Sequence, residues 1–170
     1  MSLPGLGQLE ATPEILRLLL EGLSEEDANW KPAPNRFSIA EALEHLSHTE
    51  GHCFRASVER MVEEDNPALE PYDQEAHFAS GQYSGRSAED SFDHFEEQRE
   101  TNIEFLRTLP RSAGGRKAMH KVAGEITLQQ MLHEWAMHDL GHIRQIAELV
   151  RARKHWQAAG RLGEFYQLRP

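Results

Sequence analysis

Three histidines are the residues of this chain whose type and spacing could do chemistry. His138 and His142 lie four residues apart in the segment EWAMHDLGHIRQ, and His45 lies far upstream in EALEHLSH. On a helix, residues i and i+4 stand one above the other on the same face. Two imidazoles so placed can hold one divalent ion. A third from a neighbouring helix would leave one coordination position open, as in catalytic metal sites.

The upstream ligand can be chosen in more than one way. His45, His48 and His52 fall at i, i+3 and i+7 on one helical face, so each could supply the third ligand on geometry alone. Glu41 lies one turn before His45 and could orient that ring through a hydrogen bond, although a helix cap is already a sufficient role for it. The chain has ten histidines, so some helical spacings arise by chance. We interpret four others as surface or core residues: His77, His94, His120 and His155.

Other reactive side chains give weaker signals. His133 and Glu134 precede His138 in a pattern similar to the metalloprotease helix, but the two histidines are five apart and diverge by roughly 140° around a helix. They cannot share a metal in that pattern. Cys53 lies among apolar residues of a helix and is interpreted as a buried structural thiol. Arg55 could hold the far end of an anionic substrate, although a surface arginine is the commoner interpretation.

Composition places the chain among globular proteins. Its 170 residues, 39% hydrophobic and 27% charged, suffice for one domain with a real core. We expect a single domain over 1–170, with a core at about 12–153 and a tail at 155–170. The net charge of −10 argues against a nucleic-acid partner, because phosphate binding needs a basic surface. No apolar run approaches the roughly 20 residues of a membrane span. With one cysteine and no signal peptide, a cytoplasmic protein is expected.

Four long helical patterns are predicted, and almost nothing in the chain is typical of a strand. Their expected N-caps, in chain order, are Thr12, Ser38, Ser87 and Thr127. The second helix should end near Glu64 and the fourth near Lys154, while an irregular loop is expected over 66–86. A short hairpin is expected over 116–126 and a weakly structured tail over 160–170. The sequence therefore predicts an all-α protein, a four-helix bundle with long connections.

Three segments, in this order and spacing, carry a family resemblance. They are WKP with FSIAEALEHLSHTE before and in the second helix, NPALEPYDQEA in the following loop, and HDLGHIRQI in the last helix. Together they resemble the DinB/YfiT-like superfamily of metal-binding four-helix bundles. The resemblance implies that one metal is held by His45, His138 and His142, in preference to the other histidines of the second helix. Two positions depart from the family: Phe37 stands where tryptophan is frequent, and His48 where aspartate is frequent.

The resemblance also implies a function. We expect a divalent-metal-dependent enzyme that transfers a low-molecular-weight thiol to an electrophilic small molecule, with nickel or zinc as the metal and the thiol as co-substrate. The alternatives are a metal-dependent hydrolase and a metal-binding or stress-response module without turnover. Related bundles often pair, and an exposed helix face that bears Trp or Leu could form a homodimer. The sequence supports this only weakly, because the apolar stripes are wide enough for a core alone.

Overall fold

The computed structural model describes residues 3–168, and four long helices dominate it. The helices are α1 (Leu6–Leu20), α2 (Glu25–Asn29), α3 (Ile39–Thr49), α4 (Ala56–Glu63), α5 (Gln74–Ala79), α6 (Ala88–Thr108) and α7 (Leu128–Val150). The strands are β1 (Ala68–Leu69), β2 (Lys117–His120) and β3 (Gly124–Thr127). Helices α3 and α4 are joined without a break by π-helical turns over Glu50–Arg55 and form one long rod. That rod, α1, α6 and α7 are the four helices of a bundle, in which α1 and α3 each contact both α6 and α7. The all-α prediction is confirmed.

Three of the four predicted helix starts are confirmed. The Ser38 hydroxyl accepts the backbone N–H of Glu41, and the Glu41 carboxylate accepts the N–H of Ser38 in return. The same reciprocal box joins Thr127 and Gln130 at the start of α7. At α6, the Ser87 hydroxyl accepts the N–H of Asp90. These short-range bonds satisfy N–H groups that have no partner within the helix, so the local sequence is enough to set the boundary.

The predicted start of the first helix at Thr12 is wrong. Helix α1 begins at Leu6, after Gly5 in a left-handed conformation, and Pro13 lies inside it. Proline lacks the N–H that would bond to the carbonyl of Leu9. That carbonyl instead accepts a hydrogen bond from Arg99 of α6 at 2.8 Å. A partner distant in sequence therefore compensates the proline, which a local pattern cannot reveal.

The connections contain more regular structure than expected. The predicted hairpin is confirmed, with β2 and β3 antiparallel. The segment 66–86, expected to be irregular, contributes α5 and also β1, which pairs with β2 in parallel. The tail, expected to be weakly structured, has a 3₁₀ helix over Gly160–Phe165. Within residues 3–168, no helix is long and apolar enough to cross a membrane.

A buried polar layer divides the apolar core into two clusters. Each long helix contributes one polar residue between apolar ones: Thr12 between Leu9 and Leu16, Glu50 between Leu46 and Phe54, Arg99 between Phe95 and Ile103, and Asp139 between Trp135 and Ile146. One cluster contains Leu9, Phe54, Ile103 and Trp135. The other contains Leu16, Leu46, Phe95 and Ile146. The layer reaches the histidines of α7, because the charge of Arg99 acts on His138 and the charge of Asp139 acts on His142.

Candidate metal centre

Helices α3 and α7 bring three imidazoles together. His45 and His138 face each other with their Nε2 atoms 3.1 Å apart, and the ring of His142 lies 4.7 Å from that of His45 and 4.5 Å from that of His138, centre to centre. One nitrogen from each ring lies within 4.8 Å of the other two. In the part of the chain that the structure describes, this is the one group of three histidine, cysteine or acidic residues that converges so closely.

Regular helix geometry accounts for the convergence. His138 and His142 are one turn apart on α7, so their rings stack along the same face. His45 lies on the buried face of α3, which packs against that face of α7. Tyr83 closes the far side of His45, with its ring edge-on at 5.1 Å. The three positions that the family resemblance selects are therefore the three that the structure brings together.

Burial keeps these rings neutral. Burial first, and then repulsion from His142 and His138, lowers the pKa of His45 to about 2. Burial also lowers the pKa of His138 to about 3. The pKa of His142 is lowered by burial as well, although a hydrogen bond that the ring donates to Gln145 raises it. Neutral imidazoles keep a lone pair, which is the form that binds a metal ion.

The tautomer of His142 is set by a neighbour. Its Nδ1 lies 2.8 Å from the Oε1 atom of Gln145, and an amide oxygen only accepts, so Nδ1 carries the hydrogen. The lone pair of this ring is then on Nε2. Hydrogen bonding of the second ring nitrogen is the usual support for a metal-binding histidine. Gln145 therefore gives His142 the arrangement of a ligand.

The donor atoms of the other two rings fit a divalent cation. The Nε2 atoms of His45 and His138 face each other at 3.1 Å, so without an ion one of them must carry a hydrogen and donate it to the other. The Nδ1 atoms of both rings are also buried without a hydrogen-bond partner among residues 3–168. Buried polar nitrogens without partners are costly. An ion that accepts lone pairs from both Nε2 atoms would satisfy them together, so the three residues fit one divalent metal.

A cavity of about 270 Å³ opens beside two of these histidines. Its wall includes His45, His138, Cys53, Phe54, Tyr72, Met131 and Glu134. Burial, followed by the negative charge of Glu134, raises the pKa of the Cys53 thiol to about 11. That cysteine is therefore a neutral thiol at physiological pH, although it lies half-buried on the cavity wall and not fully buried as predicted. A small molecule in this cavity would lie against both histidines.

The comparison with protein families decides the relationship. A family model described as the DinB superfamily matches residues 8–146, which include all three histidines. The chain belongs to the DinB superfamily. Comparison with curated proteins gives no match.

One solved structure resembles this DinB bundle over most of its length. It is described as YfiT from Bacillus subtilis, a probable metal-dependent hydrolase with an unusual four-helix bundle topology. The two chains are 22% identical, with a TM-score of 0.77 over 87% of this chain and 85% of that one. At this identity the likeness shows the fold alone. It agrees with the bundle described above.

The remaining candidates from the sequence lie outside the DinB centre. His48 and His52 stack on each other at 4.3 Å, beside His77 at 5.0 Å from His48. Tyr72 contacts both His45 and His48 and so lies between this second group of rings and the three converging histidines. The first two rings therefore point away from the pair on α7, although they share a helix with His45.

Glu41 and Arg55 also take structural roles in this DinB chain. Glu41 completes the cap of α3 and pairs with Lys31 at 2.6 Å, while the Nδ1 atom of His45 has no partner. The expected orienting bond from Glu41 to His45 is therefore not formed. Arg55 binds Glu59 and Asn102 and does not line the cavity, which agrees with its interpretation as a surface residue.

Sequence reasoning missed the ion cluster next to the histidines. Arg99 donates two bonds to Glu50, at 2.7 and 2.8 Å, and two to Asp139, at 2.7 and 3.1 Å. All three side chains are at most 2% exposed. Asn102 and Trp135 also donate to Glu50. The available signal was an arginine four residues from both Phe95 and Ile103, on the core-facing stripe of α6.

Proposed function

We propose that this DinB-superfamily chain is a metal-dependent enzyme that uses one divalent ion, nickel or zinc, to activate a small nucleophile. The observation that carries the proposal is the meeting of three neutral imidazoles, two of which line a cavity. His45, His138 and His142 would hold the ion. When bound, it would supply a positive charge that lowers the pKa of a coordinated thiol or water. Three protein ligands leave a position for that nucleophile.

The first candidate nucleophile is a low-molecular-weight thiol. The converging group contains no carboxylate, so the ligands would leave the double positive charge of the ion uncompensated. Such a charge can deprotonate a thiol without a separate base. In the transfer, the thiol sulfur forms a bond to an electrophilic carbon. The displaced group leaves with its electron pair, and the thiol proton passes to solvent.

The second candidate nucleophile is water. One observation favours it: the carboxylate side chain of Glu134, one turn before His138, lines the same cavity. A carboxylate within reach of the nucleophile could accept a proton from water. The similar Bacillus subtilis structure is described as a probable metal-dependent hydrolase, which supports the same alternative.

A comparison of two substrate panels separates these candidates. Metal-loaded protein is incubated with cellular thiols and a chloro-aromatic acceptor, and separately with model esters. We expect metal-dependent loss of thiol, absent in His45→Ala and retained in His52→Ala, a control histidine further along the same rod. Ester hydrolysis without thiol consumption reverses the ranking. A protein that binds metal but turns over neither panel supports the third candidate, a metal-binding module without activity.

A further inference from the structure

The charged side chains on the wall of the cavity beside the histidines are carboxylates. Two carboxylates, Glu70 and Glu134, lie on its wall, and no lysine or arginine does. His120 also lines it, but its Nδ1 accepts the backbone N–H groups of Val122 and Ala123. That nitrogen carries no hydrogen, so the ring as hydrogen-bonded here adds no positive charge. The wall therefore offers no cation to a carboxylate or phosphate of a bound molecule.

The two carboxylates differ in what holds them. Glu70 forms an ion pair with Lys121 at 2.9 Å. Glu134 is exposed and has no hydrogen bond or ion pair within the described range 3–168. It precedes His138 by four residues, so the two side chains lie one above the other on α7. Glu134 is therefore an unpaired carboxylate on the cavity wall, one helical turn from His138.

We propose that Glu134 selects a substrate that carries a protonated amine. The ammonium group would bind to Glu134, while the reacting end of the molecule lies at His45 and His138. A cavity of about 270 Å³ is slightly below the range of roughly 300–1,000 Å³ typical of drug-sized ligands, so the substrate is a small amine. This inference rests on the proposed function, because it places the reacting end at the three histidines.

Three thiols of similar length provide the probes. Cysteamine carries an ammonium group, 2-mercaptoethanol a neutral hydroxyl and 3-mercaptopropionate a carboxylate, each two carbons from the sulfur. The protein is loaded with cobalt(II), and the thiolate-to-cobalt absorption band gives the Kd of each thiol. The three differ in acidity, so the readout is the change in Kd between the native chain and E134Q for each thiol. This is a binding measurement and needs no turnover.

We expect E134Q to raise the Kd of cysteamine by about fivefold, which is the effect of one unit charge at roughly 4 Å in a solvated site. The same substitution should leave the Kd of 2-mercaptoethanol unchanged and lower the Kd of 3-mercaptopropionate. The matched control is E70Q, which removes a carboxylate of the same cavity that is already paired with Lys121. It should change each Kd by less than about twofold, as expected for an exposed ion pair.

Two results overturn the inference in different ways. If E134Q changes the Kd values of the three thiols equally, or changes none of them, Glu134 does not select a charged group and only this inference fails. If cobalt binds but no thiol gives an absorption band, the thiol candidate of the proposed function fails and the inference falls with it. If cobalt does not bind at the histidines, the proposed function fails as a whole. The cobalt spectrum without thiol distinguishes these cases.

Discussion

Two buried polar clusters lie next to each other in this bundle, and they differ in how completely their atoms are satisfied. In the ion cluster, Arg99 donates two bonds to each carboxylate, and Asn102 and Trp135 add further donors. In the histidine cluster, the Nδ1 atoms of two rings lack partners, and two Nε2 atoms face each other. The first cluster is complete with protein groups alone. The second leaves two buried nitrogens without partners and turns two Nε2 atoms toward each other, where a cation could accept their lone pairs.

Charge separates the two clusters as well. Burial alone lowers the pKa of Arg99, but the attraction of Asp139 and Glu50 more than offsets it, so the pKa of this arginine is raised and it stays charged. No such partner offsets the burial of His45 and His138, whose pKa values fall far below neutrality. His45 and His138 therefore stay neutral, although a buried ion cluster lies next to them. The ion cluster has two carboxylates and one arginine, so an excess of negative charge lies next to neutral metal donors. This arrangement favours a bound cation.

The largest expected effect comes from breaking the ion cluster. Arg99→Ala leaves Glu50 and Asp139 buried without a cation, which typically costs about 3–5 kcal/mol of unfolding free energy. Urea unfolding followed by circular dichroism measures the loss. The control is Arg107→Ala on the same helix, whose exposed pair with Glu10 should contribute less than about 1 kcal/mol. Equal losses of unfolding free energy in the two variants would contradict a large contribution of the buried ion cluster to stability.

A smaller effect follows from the neutral histidines. In the unfolded chain these rings titrate near 6.5, whereas in the fold the pKa values are about 2 for His45 and about 3 for His138. Between those values the unfolded chain binds more protons, so the unfolding free energy of metal-free protein falls as the pH decreases. From pH 7 to 6 the two rings together should cost about 1.4 kcal/mol.

Unfolding in urea at the two pH values, with a chelator present, checks this dependence. His45→Gln should remove about half of the difference, because one of the two titrating rings is gone. A metal-free protein that is as stable at pH 6 as at pH 7 would contradict the account of buried neutral imidazoles.

The smallest expected effect concerns the support of one ligand. Gln145→Ala removes the acceptor that holds the hydrogen on Nδ1 of His142. Loss of such a partner typically weakens metal binding by about tenfold or somewhat more. A zinc titration by calorimetry measures the affinity, and Arg144→Ala, the neighbouring exposed position, is the control. Equal affinities for both variants would show that the ring needs no such support.

The parts of the fold that local chemistry controls could be predicted from the sequence. The capping boxes at Ser38 and Thr127 and the i, i+4 pair on α7 depend on residues close in the chain, and they are as expected. The start of α1 depends on Arg99, which compensates Pro13 from another helix, and sequence patterns carry no such information. The ion cluster was missed for the same reason, since its members lie 40 or more residues apart.

The candidate site was predicted in part. Spacing alone left the third histidine open among three positions of one helix face, and the family resemblance selected His45. Glu134 drew attention only as part of a protease-like pattern that its spacing excludes. Its place in the cavity depends on the packing of α7 against the α3–α4 rod. The expected single domain and homodimer stay predictions, the latter testable by light scattering.

Metal stoichiometry tests the central claim most directly. Protein stripped with a chelator is titrated with zinc by calorimetry, and the bound metal is counted after desalting. We expect one ion per chain in the native protein and in His52→Ala, and none in His142→Ala, with all three proteins equally helical by circular dichroism. Retention of one tightly bound ion by His142→Ala, or its loss in His52→Ala, would contradict a centre built from His45, His138 and His142.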